Sequence, residues 1–328
     1  MLSLIAALLA IAHAETPHVP LTYDSGLQAT SADGAFALKI GARTQLRATA
    51  QGRDGALMAF AEPRRIRLKL SGHVIDERLT FFSQLGWDRG EPGLVDAWVD
   101  HAFSPGLHLR AGQMKRPFAR AFIMSTTGLS LVDRAITHDA FANGRDIGAM
   151  VHTGLAKRDG IEAALGVFNG PGPGPQVVGR VGYNSDGSKG YQQVDFGGDG
   201  VRGGASVNAQ IDTIMKFGAD GIVKMGGLGL MGAVYASTTG EFLGAQNIQQ
   251  AGAALDADVL LGDRVVPAIR FARVVRRNAV DSQEAAAALA LLFHGHRVKW
   301  THELAVQTDM EDDPTSLWRV QSQLELNY

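Results

Sequence analysis

Taken two residues at a time, the stretch from Glu62 to Val74 separates into two faces. Ile66, Leu68, Leu70, Gly72 and Val74 fall on one, and Arg65, Arg67, Lys69, Ser71 and His73 on the other. Successive side chains of a strand point to opposite sides, so this is a strand with an apolar and a cationic face. Residues 36–48 repeat the split, with Phe36, Leu38, Ile40, Ala42, Thr44 and Leu46 against Lys39, Gly41, Arg43, Gln45 and Arg47. The period continues through 79–87, 94–103 and 107–113, with turns at Asp76-Glu77-Arg78, 89–93 and Ser104-Pro105-Gly106, while 49–61 reads as a loop. Strands joined by such short connections form an antiparallel meander. One apolar and one water-facing face on strand after strand is how a barrel wall with lipid outside and water inside is built.

The alternation then stops over 114–143, a half-apolar stretch too long for an idle connection. It must pack against something, and within a barrel the available place is inside. Strands resume at 145–153, 161–169 and 176–184, around a Gly-Pro tip from Gly170 to Pro175 that cannot enter a ladder. After a Gly- and Asp-rich connection, strands are expected at 202–212, 217–223, 228–237, 248–259, 265–273, 283–293, 297–307 and 316–328, sixteen in all. Their alternation is less clean, and the Ala/Leu run of 283–293 fits a short helix as well as a strand. The last strand is clear again, with Trp318, Val320, Leu324, Leu326 and Tyr328 opposite Arg319, Gln321, Gln323, Glu325 and Asn327. The predicted class is all-β, a transmembrane antiparallel barrel of 16 strands over 34–328, with 114–143 folded inward.

The N-terminus adds export. Leu2 to Ile11 is a short apolar run, and Ala12-His13-Ala14 is a small-x-small cleavage site, so 1–14 reads as a signal peptide and 15–33 as a polar leader. No later run has the roughly 18 consecutive apolar residues of a membrane helix. The absence of cysteine removes disulfides and thiolate chemistry. A net charge of −2 offers a nucleic acid no attraction from the chain as a whole. The charge is uneven, however: Lys and Arg are in excess between Phe36 and Arg145, and the remainder is acidic. No nucleophile elbow, phosphate loop or dinucleotide fingerprint occurs, and Gly226-Gly227-Leu228-Gly229 reads as a turn.

RRIRLKLSG, VDAWVDHAF, LRAGQMKRPF, SLVDRA and GRDIGAMV, in this order between Arg64 and Val151, together with the closing strand, resemble the phosphate-selective porin O and P family of Gram-negative outer membranes. The resemblance is dense there and thin between Gly190 and Gln283. It implies a sixteen-stranded barrel, usually a homotrimer, whose third loop narrows an anion pore. The sequence departs from the phosphate-specific members in that loop: Phe122 and Thr127 stand where their lysines would be.

A pore that selects anions needs cations facing a water-filled lumen. Arg43, Arg47, Arg65, Arg67, Lys69 and Arg110 hold inward positions on neighbouring strands, with Arg64 at a strand entrance. Lys115, Arg116, Arg120 and Arg134 are the candidates within the loop. Against this stands the reading that the strand arginines pair with Asp96 and Asp100, and the loop cations with Asp133 and Asp139. Trp87, Trp300, Trp318, Tyr183 and Tyr328 are expected in interfacial girdles, with Trp98 on the inward register. His294, His296 and His302 lack the acidic or thiolate neighbours of a zinc site. Asp309, Glu311, Asp312 and Asp313 read as a solvated loop rather than a calcium or lipopolysaccharide bridge. The expectation is an outer-membrane porin without cofactor or reaction, surrounded by lipid and lipopolysaccharide and passing small anions. Its rivals are a non-selective porin, a plugged structural barrel and a secreted β-rich binding protein.

Overall fold

A computed structural model describes residues 21–23, 26–53, 55–142, 144–155, 159–170, 172, 174–188, 190–239, 247–310 and 315–328. The signal peptide expected over 1–14 and the acidic residues Glu311, Asp312 and Asp313 lie outside them. The alternating segments form one antiparallel sheet. Two short strands, β1 (Leu21–Tyr23) and β2 (Leu27–Thr30), lie within the polar leader and precede sixteen longer ones. These are β3 (Phe36–Arg53), β4 (Ala56–Val74), β5 (Asp76–Asp88), β6 (Glu91–Ser104), β7 (Leu107–Lys115), β8 (Arg145–His152), β9 (Gly160–Phe168) and β10 (Gln176–Asn184). They continue with β11 (Arg202–Ile211), β12 (Met215–Met225), β13 (Leu228–Thr239), β14 (Asn247–Val259), β15 (Val265–Arg276), β16 (Ser282–Leu292), β17 (Val298–Asp309) and β18 (Thr315–Asn327).

Each of the sixteen pairs with the next, and β18 returns to β3 from Trp318↔Gly52 to Asn327↔Arg43. Closure leaves no edge, the condition for strands to cross a hydrocarbon layer. β2 continues the sheet beside β3 where β18 has ended, from Leu27↔Ile40 to Thr30↔Ala37. The stretch 49–61, expected as a loop, is instead the top of a long hairpin, with Thr49 paired to Phe60 and Arg53 to Ala56. Its alanines weakened the strand signal without breaking the ladder. The 283–293 run is strand, not helix: Ala286, Ala288 and Ala290 are buried inside, and Leu289 is exposed outside.

The outer surface carries exposed Leu46, Ile66, Val99, Val151, Leu165, Val207, Phe271 and Leu304. Trp87, Trp300, Trp318, Tyr183 and Tyr328 are outward too, as the girdle reading requires. Trp98 points inward, stacked on Phe82 at 5.4 Å with the Arg110 guanidinium 3.8 Å from its ring centroid.

The interior is filled unevenly. From one end the long connection 116–144 folds in, carrying α1 (Arg120–Ile123), a 3-10 turn (Thr126–Gly128) and α2 (Ile136–Phe141). From the other end, where Asp76, Pro105 and Tyr328 lie, the connection 185–201 also folds in. Both lie against the strands from β9 to β17, whose inward face mixes apolar side chains with buried ion pairs such as Arg180–Glu162 and Arg270–Asp256. Phe118, Phe122, Ile123 and Phe141 of the loop join Phe168, Val178, Tyr235 and Val274 of the wall in one core. Leu131 packs on Ala268, Ala286, Ala288 and Ala305, and Val194 on Val266, Ala290 and Leu292. The inward side chains that retain solvent access are concentrated on β4 to β8.

The two faces of β4 give a direct test. Leu68→Arg places a cation on the outer face, expected to cost about 2–4 kcal/mol near mid-membrane, whereas Ser71→Arg on the inner face folds. Heat-modifiable mobility in gels and urea unfolding in lipid check this; equal damage from both reverses the assignment.

Candidate pore and its constriction

The long loop is pinned to the filled wall by a buried ion network. Arg120 Nε lies 3.1 Å from Asp220 Oδ1, and its Nη1 donates to Asn184 Oδ1 at 2.9 Å and to the Gly190 carbonyl at 2.7 Å. Arg180, on β10 across β11 from Asp220, bonds the same carboxylate at 2.8 Å and Glu162 at 2.7 Å. Arg120 is wholly inaccessible, so its charge serves attachment rather than the lumen. Arg116 is likewise tied down, donating to Gln176 Oε1 at 2.6 Å with Asp146 at 3.6 Å.

Lys115 and Arg134 converge on the C-terminal end of α1, where helix carbonyls lack intrahelical partners. Lys115 Nζ donates to the carbonyls of Phe122, Ile123 and Met124 at 2.8, 3.0 and 3.0 Å. Arg134 donates to those of Ala121 at 2.5 Å and Met124 at 2.8 Å. Neither meets a carboxylate within 4 Å among the described residues. Burial, then the neighbouring Arg65 and Arg145 charges, lower the Arg134 guanidinium to about 9. The loop cations therefore hold the loop together. The partners expected for them, Asp133 and Asp139, are not the ones they take.

Asp133 instead faces the strands. Arg47 binds it at 2.5 Å and Arg65 lies 3.6 Å away. Burial pushes its carboxyl up, but the Arg47 hydrogen bond and the charges of Arg47, Arg65 and Arg64 outweigh that and hold it well below the carboxylate range. Along the wall, Arg67 pairs with Asp88 at 2.5 Å, Arg110 with Asp100 at 2.8 Å and Arg145 with Asp96 at 2.9 Å. Arg64 occupies a bulge between Pro63 and Arg65 and approaches Glu62 at 3.9 Å. Arg43 lies 3.9 Å from Glu325 and donates to Thr126 of the loop. Lys69 donates to the Asn327 amide oxygen at 2.9 Å and reaches no carboxylate within 4 Å among the described residues. All eleven expected cations are thus inside the barrel. Those of β4 and β7 lie beside the accessible lumen, and Arg116 and Arg120 are in the packed half.

Two features escaped the sequence reading. Arg145 belongs to the cationic wall, half-buried against Asp96. The inward fold of 185–201 had one available signal, its length at an end of the barrel where most other connections are short. As for metals, His302 lies on the outer face beside Trp300 and His296 packs on Phe196. The donors that do converge are Asp100, His108 and His152. His152 Nδ1 accepts N–H groups from Gly154 at 3.0 Å and Leu155 at 3.3 Å, so its proton sits on Nε2, which donates to Asp100 at 2.7 Å. A protonated nitrogen has no lone pair for a metal, and Asp100 is already occupied by His108, His152 and Arg110. This is a closed hydrogen-bond network.

No protein-family model matches the sequence, and no curated protein does. Solved structures do match in fold. An anion-selective porin from Comamonas acidovorans superposes with a TM-score of 0.64 at 10% identity, over 89% of this chain and 100% of that one. The outer membrane channel DcaP of Acinetobacter baumannii gives 0.62 at 10% identity over 91% and 99%. A loop-deletion mutant of OmpT, an outer membrane protein of Vibrio cholerae, gives 0.59 at 8% over 89% and 99%. The architecture is that of the sixteen-stranded transmembrane barrels.

Arg120→Met leaves Asp220 buried with Arg180 as its remaining cation, an expected cost of about 3–5 kcal/mol, read from the heat-modification midpoint. His138 supplies a pH test. Burial first, then Arg134, Lys115 and Arg65, push its imidazole down to about 3, against about 6.5 in an unfolded chain. The unfolded state therefore binds the proton more readily, and stability falls as pH drops from about 6.5 towards 3. His138→Leu should flatten that slope in urea titrations of the folded barrel.

Proposed function

We propose that this chain is an outer-membrane porin, exported by its signal peptide, that passes small hydrophilic solutes with a preference for anions. The observation that carries the proposal is the charge balance beside the accessible lumen. Arg43, Arg47, Arg64, Arg65, Arg67, Lys69, Arg110 and Arg145 share that side with Glu62, Asp88, Asp96, Asp100, Asp133, Asp139 and Glu325, and Lys69, Lys115 and Arg134 meet no carboxylate among the described residues. Confined between low-dielectric walls, the surplus favours a passing anion over a cation. Arginine suits the task because its planar donors grip an oxyanion and its charge does not titrate away. The fold shared with the anion-selective Comamonas porin supports the same reading.

The motifs between Arg64 and Val151 support a place near the phosphate-selective O and P porins, and phosphate-like oxyanions are within the chemistry of the wall. Specificity for phosphate is not part of the proposal. Phe122, at one of the lysine positions, is core, and Thr127, at the other, is uncharged. A homotrimer is proposed through the outer face around the β18–β3 seam, where His302 and Ser322 interrupt the apolar surface and Ser322 accepts from Trp300 at 2.9 Å.

A second reading, a plugged barrel that conducts nothing, draws support from the amount of lumen filled by 116–144 and 185–201. Reversal potential of the protein in planar bilayers under a KCl gradient separates the two. Steady current with anion bias is expected, and Lys69→Gln or the pair Arg65→Gln with Arg67→Gln should reduce the bias while the barrel stays folded. Arg116→Gln should alter conductance more than selectivity. Current without bias indicates a general porin, and no current indicates the plug.

A further inference from the structure

The constriction loop enters the barrel from one end, yet some of its closest contacts are to a segment that enters from the other. The Gln193 backbone N–H donates to the Gly128 carbonyl at 2.9 Å, at the inner tip of the loop. Its side-chain Oε1 accepts from Ser130 N at 2.8 Å and Ser130 Oγ at 3.1 Å. Its Nε2 donates to Asp256 Oδ2 on β14 at 2.7 Å. One glutamine, 1% exposed, thus joins the loop tip to the barrel wall, with both ends of its amide engaged.

The segment is itself anchored on either side of Gln193. The Gly190 carbonyl accepts from Arg120, and the Tyr191 ring lies 5.0 Å beneath that guanidinium. Tyr191 also bonds Glu162. Beyond it the Val194 carbonyl accepts from Lys224 at 3.3 Å, and Asp195 holds Arg202 at 2.6 Å. A side chain at 190 would put Cβ 2.6 Å from Asn184 Oδ1 and 2.7 Å from Arg120 Nη1, displacing the two groups that hold this end of the segment.

From this geometry we infer that residues 190–195 are a second inward clamp that fixes the constriction loop from the opposite mouth, with Gln193 as the positioning residue. Two buried groups of the loop would otherwise lose their partners: the Gly128 carbonyl would have none from Gln193, and the Ser130 N–H would have none from its amide. Such losses cost more than the hydrogen bonds themselves contribute. The loop tip therefore rests where the clamp places it, and the width of the lumen beside β4 to β8 follows. In its effect on conduction the inference rests on the porin reading; in its effect on the loop it does not.

The test uses the whole barrel. Because the chain has no cysteine, Thr127→Cys provides a single site for a nitroxide beside the Gly128 tip. The label should give an immobilised line shape in the parent. It should shift to a mobile one with Gln193→Ala, and equally with Gln193→Met, which keeps bulk but loses the amide. Gly190→Ala, acting at a different point of the clamp, should do the same if a Gln193 variant does not fold. In bilayers each of these variants should show higher single-channel conductance than the parent. An immobilised label in correctly heat-modifiable variants overturns the clamp. A parent that passes no current refutes the porin reading alone, since the line shape is measured without it.

Discussion

A guanidinium removed from water must be paired, and Arg120 is paired only against one wall. Its carboxylate, Asp220, is on β12, shared with Arg180 of β10, and those groups are as buried as Arg120 itself. Leaving one of these charges without its partner would cost several kcal/mol. The loop therefore cannot lie centrally or swing to the far side of the barrel. Its apolar residues follow onto the inward faces of β9 to β17, and the accessible lumen is left beside β4 to β8, where the arginine-rich strand with which the alternation begins lies opposite it. Filling and charge distribution both depend on where that one side chain finds its partners.

The interior thus has two kinds of surface. On the filled side, alanines, valines and phenylalanines face inward beside buried, paired charges such as Arg180 and Arg270, and the loop covers both. On the other side, arginines and carboxylates face inward and keep contact with water. Lys115 and Arg134 lie between them, with charge in the interior and donors committed to the carbonyls at the end of α1. They contribute to the field of the interior, but their donors are already taken.

This division explains what could be read from the sequence. The sixteen spanning strands were visible because their outward faces are mainly apolar, interrupted at Arg273, His302 and Ser322, and the first five and the last were clear because their inward faces are polar. On β16 the alternation fades for a physical reason: Ala286, Ala288, Ala290 and Leu292 are apolar inward because the loop and the 185–201 segment cover them, so both faces look alike. The long loop was legible from its length and its apolar content. Its attachments were not, because Arg120 pairs with a residue on β12 distant in sequence, and spacing carries no trace of such contacts. The same is true of Asp133, which was expected to neutralise the loop and instead receives Arg47 and Arg65 from the strands.

The covered and uncovered halves also differ in how freely they can change. An inward substitution at Val178, Tyr235 or Ala288 disturbs a packed core and is resisted as such. An inward substitution at Ser71 or Gln84 meets water and leaves the loop, the core and the closure of the sheet as they were. On the porin reading, what passes can therefore change through variation in a few adjacent strands, while the other half preserves the architecture.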